Sequence, residues 1–350
     1  MRVPSKSNST ACGMLFGMAN SCESLFMSPE RKNQHQRNRR RSTPDRSHVP
    51  VMIREVLDHI QAGPGKCVAD VTLGRGGHTR AILERMSGSG TMILMDLDEH
   101  EMKSTVSSLQ PNGAAILPHA GNFAGIAQFM AESGISGLDG LLADLGVSSM
   151  QIDNPDRGFS YRRDGPLDMR MDPSRGETAK DLLGKLTEAE LAEALRELAD
   201  EPMAGPLSRA VLGRHRLTPF ETTSQLATFC ETALGKPGEH WSLRQGKRWV
   251  THPAARLFQT LRILVNREVA NLKHLLRLLP SILNPGGKAC IISFHSGEDR
   301  LIKQSFRDGL RQGHYDSISE EPMTPTEYEK KGNPRSRSAK LRWARKTMAV

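Results

Sequence analysis

Four short runs of β-forming residues follow one another within about eighty residues, Cys67–Leu73, Thr91–Asp98, Ala114–His119 and Asp139–Leu145, with helical stretches between them. Such alternation predicts a parallel sheet covered by helices, because each strand must return to the same end of the sheet through a crossover. A fifth run, Lys288–His295, comes about 140 residues later, so an insertion follows the fourth strand. Residues 151–176 of that insertion are turn-rich, and the rest is helical in pattern. Thr187 with Glu190 forms a capping box ahead of an apolar stripe at Leu191, Ala194, Leu195 and Leu198. Thr222 with Gln225 opens another helix that closes at Gly235. A longer helical pattern starts at Pro253 and runs toward Leu283 before the stop signal Asn284-Pro285-Gly286-Gly287. The expected organisation is therefore a disordered basic extension over 1–47, an α/β domain in two parts over 48–150 and 253–350, and an inserted helical domain over 151–252. The last part ends in a basic tail.

With 350 residues, 37% of them apolar and 25% charged, the chain is long enough for a sizeable core. No apolar stretch approaches the ~18 residues of a membrane span. Five cysteines, Cys12, Cys22, Cys67, Cys230 and Cys290, include no CxxC pair, which argues against a zinc knuckle or a disulfide scaffold and for a reducing, cytoplasmic setting. The net charge of +9 resides at the two ends: residues 1–47 and 331–350 are both strongly basic, while the body between them is slightly acidic. A basic fringe suits a polyanion such as RNA, and solvated tails explain it equally well. Arg31–Ser47 has no apolar residue except Pro44 and is read as disordered. The first thirty residues are too weakly patterned for a signal peptide. An organellar transit peptide stays open, although Glu23 and Glu30 count against it, and Met14, Met18 and Met27 leave a downstream start open.

The segment Asp70-Val71-Thr72-Leu73-Gly74-Arg75-Gly76-Gly77-His78 follows the first strand and opens a helix. Glycines there let backbone approach a ligand where a Cβ would collide, and a tight structural turn needs them too. No GxxxxGK[ST] is present, and Thr79 stands where the third glycine of GxGxxG would be, so a pyrophosphate loop is not indicated. Asp96 follows Gly74 by 22 residues, near the ~20-residue spacing at which an acid accepts the two hydroxyls of a ribose. A glycine turn with a ribose acid and no pyrophosphate loop fits S-adenosylmethionine. Asp144 ends the fourth strand, where open α/β sheets bind ligands, and so is expected to face the reactive centre or else to cap the next helix.

Taken together, HVPVM, DVTLGRGGHT, DLGVSSMQIDNPDRGFSYRRDGPLDMRMDP, HPAARLFQTLRILVNRE, NPGGKACIISFHSGEDRLIK and NPRSRSAKLR resemble the motif series of the RsmH (MraW) family, over residues 48–350. The resemblance implies a class I, Rossmann-like S-adenosylmethionine-dependent methyltransferase with an inserted helical domain. It implies N4-methylation of a cytidine in the decoding region of small-subunit rRNA, and cofactor contacts at Gly76, Gly77, His78, Asp96, Phe123, Asp144 and Gln151. The chain departs from the family pattern at Val71 and Leu73, at Leu97 of Asp96-Leu97-Asp98, at Gly297, and at Asp200-Glu201-Pro202. No metal is expected, and a homodimer is compatible with the reading.

Cytosine N4 is a weak nucleophile because its lone pair is delocalised into the ring. An acceptor on its N–H releases that pair, and in-line positioning does the rest. Asp144 is the leading catalytic acceptor, although no (D/N/S)PP(Y/F) segment accompanies it. A C5 methyl transfer would need a cysteine nucleophile, and Cys290 in mid-strand reads as core. In Asp153–Pro173, Phe159 and Tyr161 could stack a splayed base while Arg157, Arg162 and Arg163 meet phosphates, or the loop could be tied together internally. His295 with Glu298 and Asp299 reads as a site wall or as structural. Arg256, Arg262 and Asn266 serve RNA or merely a helix surface. A catalytically silent ribosome-assembly factor and a methyltransferase of another nucleic acid are the alternatives.

Overall fold

The computed structural model describes residues 50–234, 244–245, 248–249 and 252–348. The N-terminal extension, with the RNA-binding and targeting readings attached to it, lies outside the described residues. Apart from a two-stranded antiparallel pair at Arg244–Gln245 and Arg248–Trp249, the described strands are β1 (Cys67–Asp70), β2 (Thr91–Asp96), β3 (Ala115–Ala120), β4 (Leu138–Asp144), β5 (Leu283–Ser293), β6 (Tyr315–Ile318) and β7 (Lys340–Lys346). They form one sheet in the order β3-β2-β1-β4-β5-β7-β6. The first five are mutually parallel, and β7 runs antiparallel to both β5 and β6. The chain moves outward from β1 through β2 to β3, then crosses to the other side of β1 for β4. That reversal opens a crevice at the carboxyl ends of β1 and β4.

The helices are α1 (Ile53–His59), α2 (Gly77–Met86), α3 (Glu99–Ser107), α4 (Ile126–Glu132), α5 (Ser149–Asp153), α6 (Ala179–Lys185), α7 (Glu188–Ala199), α8 (Ala204–Leu217), α9 (Thr223–Leu234), α10 (Pro253–Val265), α11 (Glu268–Ile282), α12 (Ser296–Arg311) and α13 (Glu327–Gly332). Both faces of the sheet are covered, which is why its strands read as continuous apolar runs. Side chains alternate between two cores. Ala69, Ile93, Leu141, Ala143 and Ile291 pack with α4, α11 and α12, while Val68, Met92, Leu94, Leu142 and Cys290 pack with α1, α2 and α3. A third core gathers Leu183, Leu191, Leu195, Leu207, Val211 and Leu226 from α6 to α9. Leu257, Phe258 and Leu261 of α10 belong to this core as well, so α10 packs with the inserted helices although it follows residue 252.

Three sequence expectations change. The fifth strand begins at Leu283 and includes the Asn284–Gly287 stop signal. Gly286 takes φ 74°, and a Cβ at Gly287 would lie 2.6 Å from the Leu138 carbonyl oxygen, so the glycines permit close pairing with β4. The single long helix from Pro253 is two, broken where Arg267 adopts a left-handed φ of 52°. The basic tail contains β7, an interior strand, because Leu341 and Ala344 are core residues and the buried Arg342 is neutralised by Asp299 at 2.6 Å. The capping box at Thr187–Glu190 and the helix start at Thr222–Gln225 are formed as read, while the expected close at Gly235 lies outside the described residues.

Candidate active site

The ends of β1 and β4 are stitched together by polar side chains. Asp70 is buried; its Oδ1 accepts from the Thr72 amide at 3.2 Å and its Oδ2 from the Thr79 hydroxyl at 2.6 Å. Thr72 Oγ1 in turn accepts the Asp144 amide at 2.7 Å. The glycine turn is held against β2 by Gly74 N–H, which donates to Asp96 Oδ2 at 2.7 Å, and by Thr105, whose hydroxyl donates to the Gly74 carbonyl at 2.7 Å. Gly76, with φ 69°, precedes α2, and a Cβ on it would come within 2.8 Å of Thr105. A Cβ on Gly74, by contrast, would meet no protein atom within 4 Å.

This turn borders a cleft of about 360 Å³. Gly77, His78, Asp96, Phe123, Asp144 and Gln151 all line it; Gly76 does not, and instead shapes the turn from behind. Asp96 Oδ1 accepts the Asp98 amide at 2.9 Å, so each of its oxygens has one hydrogen bond and room for another. Burial pushes the Asp96 carboxyl up despite the amides of Asp98 and Gly74. Phe123 starts a short helical turn capped by Asn122, and Gln151 is fixed by the capping box it makes with Ser148. Asp144 Oδ1 is shut off from solvent and has no hydrogen-bond partner among the described residues. Burial, tempered by His78, pushes that carboxyl up to about 6.

The cleft also holds groups whose role the sequence left open between the site and plain structure. Arg262 lies in it rather than on a helix surface, paired through Nε and Nη2 with both oxygens of Glu268 at 2.9 Å. Asn266 bonds the Met171 amide and the Met169 carbonyl, and so fixes the loop after α5 to the break between α10 and α11. Arg256 alone of the three is half-exposed, and it pairs with Glu201 at 3.4 Å. Glu298 lines the cleft too. Burial raises its carboxyl, but His295 and Arg262 outweigh burial and hold it below the usual range. His295 caps α12, which agrees with its structural reading. The signal that went unused was the pairing of Arg262 with Glu268 across a helix end.

Asp153–Pro173 is tied together internally. Arg157 binds Asp98 at 2.8 Å and the carbonyls of Arg170 and Met171, Arg163 donates to the Asp153 carbonyl, and Arg170 pairs with Asp168. Phe159 packs on the helical core, and Tyr161 stacks on His252 with ring centroids 4.6 Å apart. These contacts favour the packing role over base stacking for both rings. Cys290 is fully buried in β5, and burial pushes its thiol up to about 12, as befits a core residue.

The strand order with one antiparallel strand set between the last two parallel ones, and a glycine turn and two aspartates at the switch point, define a class I methyltransferase fold. The MraW methylase family profile matches residues 45–347. The chain belongs to that family. It is 40% identical over 307 residues to "Ribosomal RNA small subunit methyltransferase H 1" of Lachnoclostridium phytofermentans, covering 87% of this chain and 82% of that protein. It is likewise 40% identical over 311 residues to "Ribosomal RNA small subunit methyltransferase H" of Pelobacter propionicus, covering 84% of this chain and 97% of that one.

Proposed function

We propose that this protein transfers a methyl group from S-adenosylmethionine to N4 of a cytidine in the decoding region of small-subunit rRNA. The observation that carries the reading is the unpartnered Asp144 Oδ1 in the same cleft as the glycine turn and Asp96. The residues fit the cofactor: Asp96 retains a free lone pair on each oxygen for ribose hydroxyls, Gly74 leaves space for a ligand, and Phe123 and Leu145 offer apolar walls. Bound there, S-adenosylmethionine supplies an electrophilic methyl group. Asp144 accepts an amino N–H, draws the nitrogen lone pair out of conjugation and aims it. The Arg262–Glu268 pair and Glu298 form a fixed polar wall that orients the base. The helical core of α6–α10 is the part of the molecule we assign to RNA recognition, with its boundary after α10 rather than at residue 252.

The two relatives are named ribosomal RNA small subunit methyltransferases, which supports the substrate class. Among the described residues no helix is long and apolar enough to cross a membrane. A cytoplasmic location and action as a monomer or homodimer complete the reading; sedimentation equilibrium distinguishes the last two. The test is labelled-methyl transfer to small subunits, followed by nucleoside mass spectrometry. N4-methylcytidine is expected. No transfer to any RNA identifies a silent assembly factor, and label in another nucleic acid moves the substrate. Asp144→Ala should reduce turnover at saturating cofactor beyond any loss of cofactor binding.

A further inference from the structure

His78 lies in the first turn of α2, and its ring nitrogens have two different neighbours. Nε2 is 2.9 Å from the Val51 carbonyl oxygen. A carbonyl only accepts, so Nε2 carries the proton and donates it. Nδ1 is then the bare nitrogen of the neutral ring, and it faces Asp144 Oδ2 at 3.8 Å. Two acceptors placed in this way repel each other until one proton enters between them. The bond to Val51 accounts for a packed histidine. It does not account for a bare nitrogen 3.8 Å from the one carboxylate that, among the described residues, has a buried oxygen without a partner. The charged groups that act on Asp144 are His78 on α2, Asp70 on β1 and Glu298 on α12, and Asp70 acts on His78 as well. The imidazole is the one cation-forming group of this set.

We infer that His78 is the proton partner of Asp144, taking up at Nδ1 the proton that the attacking amine releases and thereby keeping the carboxylate ionised. The inference rests on the reading of Asp144 as the amine's acceptor. In the step, the N4 lone pair forms the new carbon–nitrogen bond, and the methyl–sulfur bond breaks with its electron pair left on sulfur. N4 passes one proton to the Asp144 carboxylate, whose Oδ1 must first turn from its solvent-free position into the cleft to take it. Rotation of the carboxyl about Cβ–Cγ presents that O–H to Nδ1, an imidazolium forms, and the carboxylate is restored; the proton leaves to solvent when the product leaves. The gap of 3.8 Å must close to about 2.8 Å, the tightening that catalytic hydrogen bonds show when a site fills. His78 is by this account a positioning residue, acting through Asp144.

Two measurements test it. In the protein without substrate or cofactor, long-range nitrogen NMR of labelled histidine should show His78 protonated at Nε2 alone at high pH. The Nδ1 resonance itself should change in Asp144→Asn, which lacks the anion that this nitrogen faces. An Nδ1-protonated tautomer, or an Nδ1 resonance unchanged by Asp144→Asn, overturns the pairing whatever the protein methylates. In methyl transfer to small subunits, His78→Gln keeps a donor for Val51 but cannot take the proton. Its acid limb should therefore move to higher pH by about one unit, because the carboxylate itself is protonated first. A uniform loss at every pH, with the limb unmoved, makes His78 merely structural. Absence of methyl transfer by the unaltered protein, with the NMR result intact, counts against the functional reading and not against the pair.

Discussion

Asp144 is the residue at which stability and chemistry pull in opposite directions. Its carboxyl titrates near 6 in the fold and at 3.8 when free, so the fold favours the protonated form. That contribution is complete below about pH 4 and is lost as pH rises through about 6, which amounts to roughly 3 kcal/mol. Asp144→Asn, neutral at every pH, should therefore raise the melting temperature at pH 7 and leave it little changed at pH 4, by calorimetry. The same substitution should abolish most of the turnover. Asp96 behaves differently, because its loss removes acceptors for ligand and for Gly74 together. Asp96→Ala should weaken S-adenosylmethionine binding by about 1.5–3 kcal/mol, measured by titration calorimetry; unchanged binding would place the ribose elsewhere. The glycine turn, Asp96 and Asp144 of this cleft could be read from motif and spacing, whereas His78, Phe123 and Gln151 were implied only by the family resemblance. Gly76 shows the limit of that reading. A glycine required by backbone conformation and by Thr105 is spelled the same as one that touches a ligand.

At the scale of elements, the parallel strands were legible because burial on both faces makes their apolar runs continuous, and β6 and β7 were not. In Lys340–Lys346 five of the seven residues are basic or aromatic, and the alternation that buries Leu341 and Ala344 is hidden under that charge. Arg342 becomes a core residue only because Asp299, 43 positions earlier, lies beside it at 2.6 Å. No local pattern reports such a partner. The break at Arg267 was missed for a related reason. Apolar periodicity runs through α10 and α11 without a gap, and the interruption is made by Asn266 and by the Arg262–Glu268 pair. Breaking that pair by Glu268→Gln leaves a buried guanidinium unmatched and should cost roughly 3 kcal/mol in denaturant unfolding. Replacing both partners by apolar residues of similar size should restore most of the stability while changing the cleft wall. If the single variant is as stable as the parent, the pair does not hold the two helices together.

For the whole molecule, the uneven charge acquires two meanings. The seven bases of residues 331–350 are partly built into the sheet, whereas the nine of residues 1–47 belong to the extension. If the extension meets RNA, each phosphate it neutralises adds about −0.7 to the slope of log affinity against log salt. Deleting residues 1–47 should flatten that slope and leave cofactor affinity alone, since the cleft is built from Pro50 onward. Superimposable slopes for the two proteins would make the extension a bystander.

The place of β7 inside the sheet bears also on how such a chain is born. A ribosome delivers β1 to β6 before it delivers β7, yet β6 reaches the rest of the sheet only through β7. Until those last strand residues emerge, β5 presents an open apolar edge, the kind that pairs with the wrong neighbour. Closure of the sheet therefore waits until Lys340–Lys346 has been made, and a nascent chain stalled before Lys340 should depend on chaperones and aggregate when released.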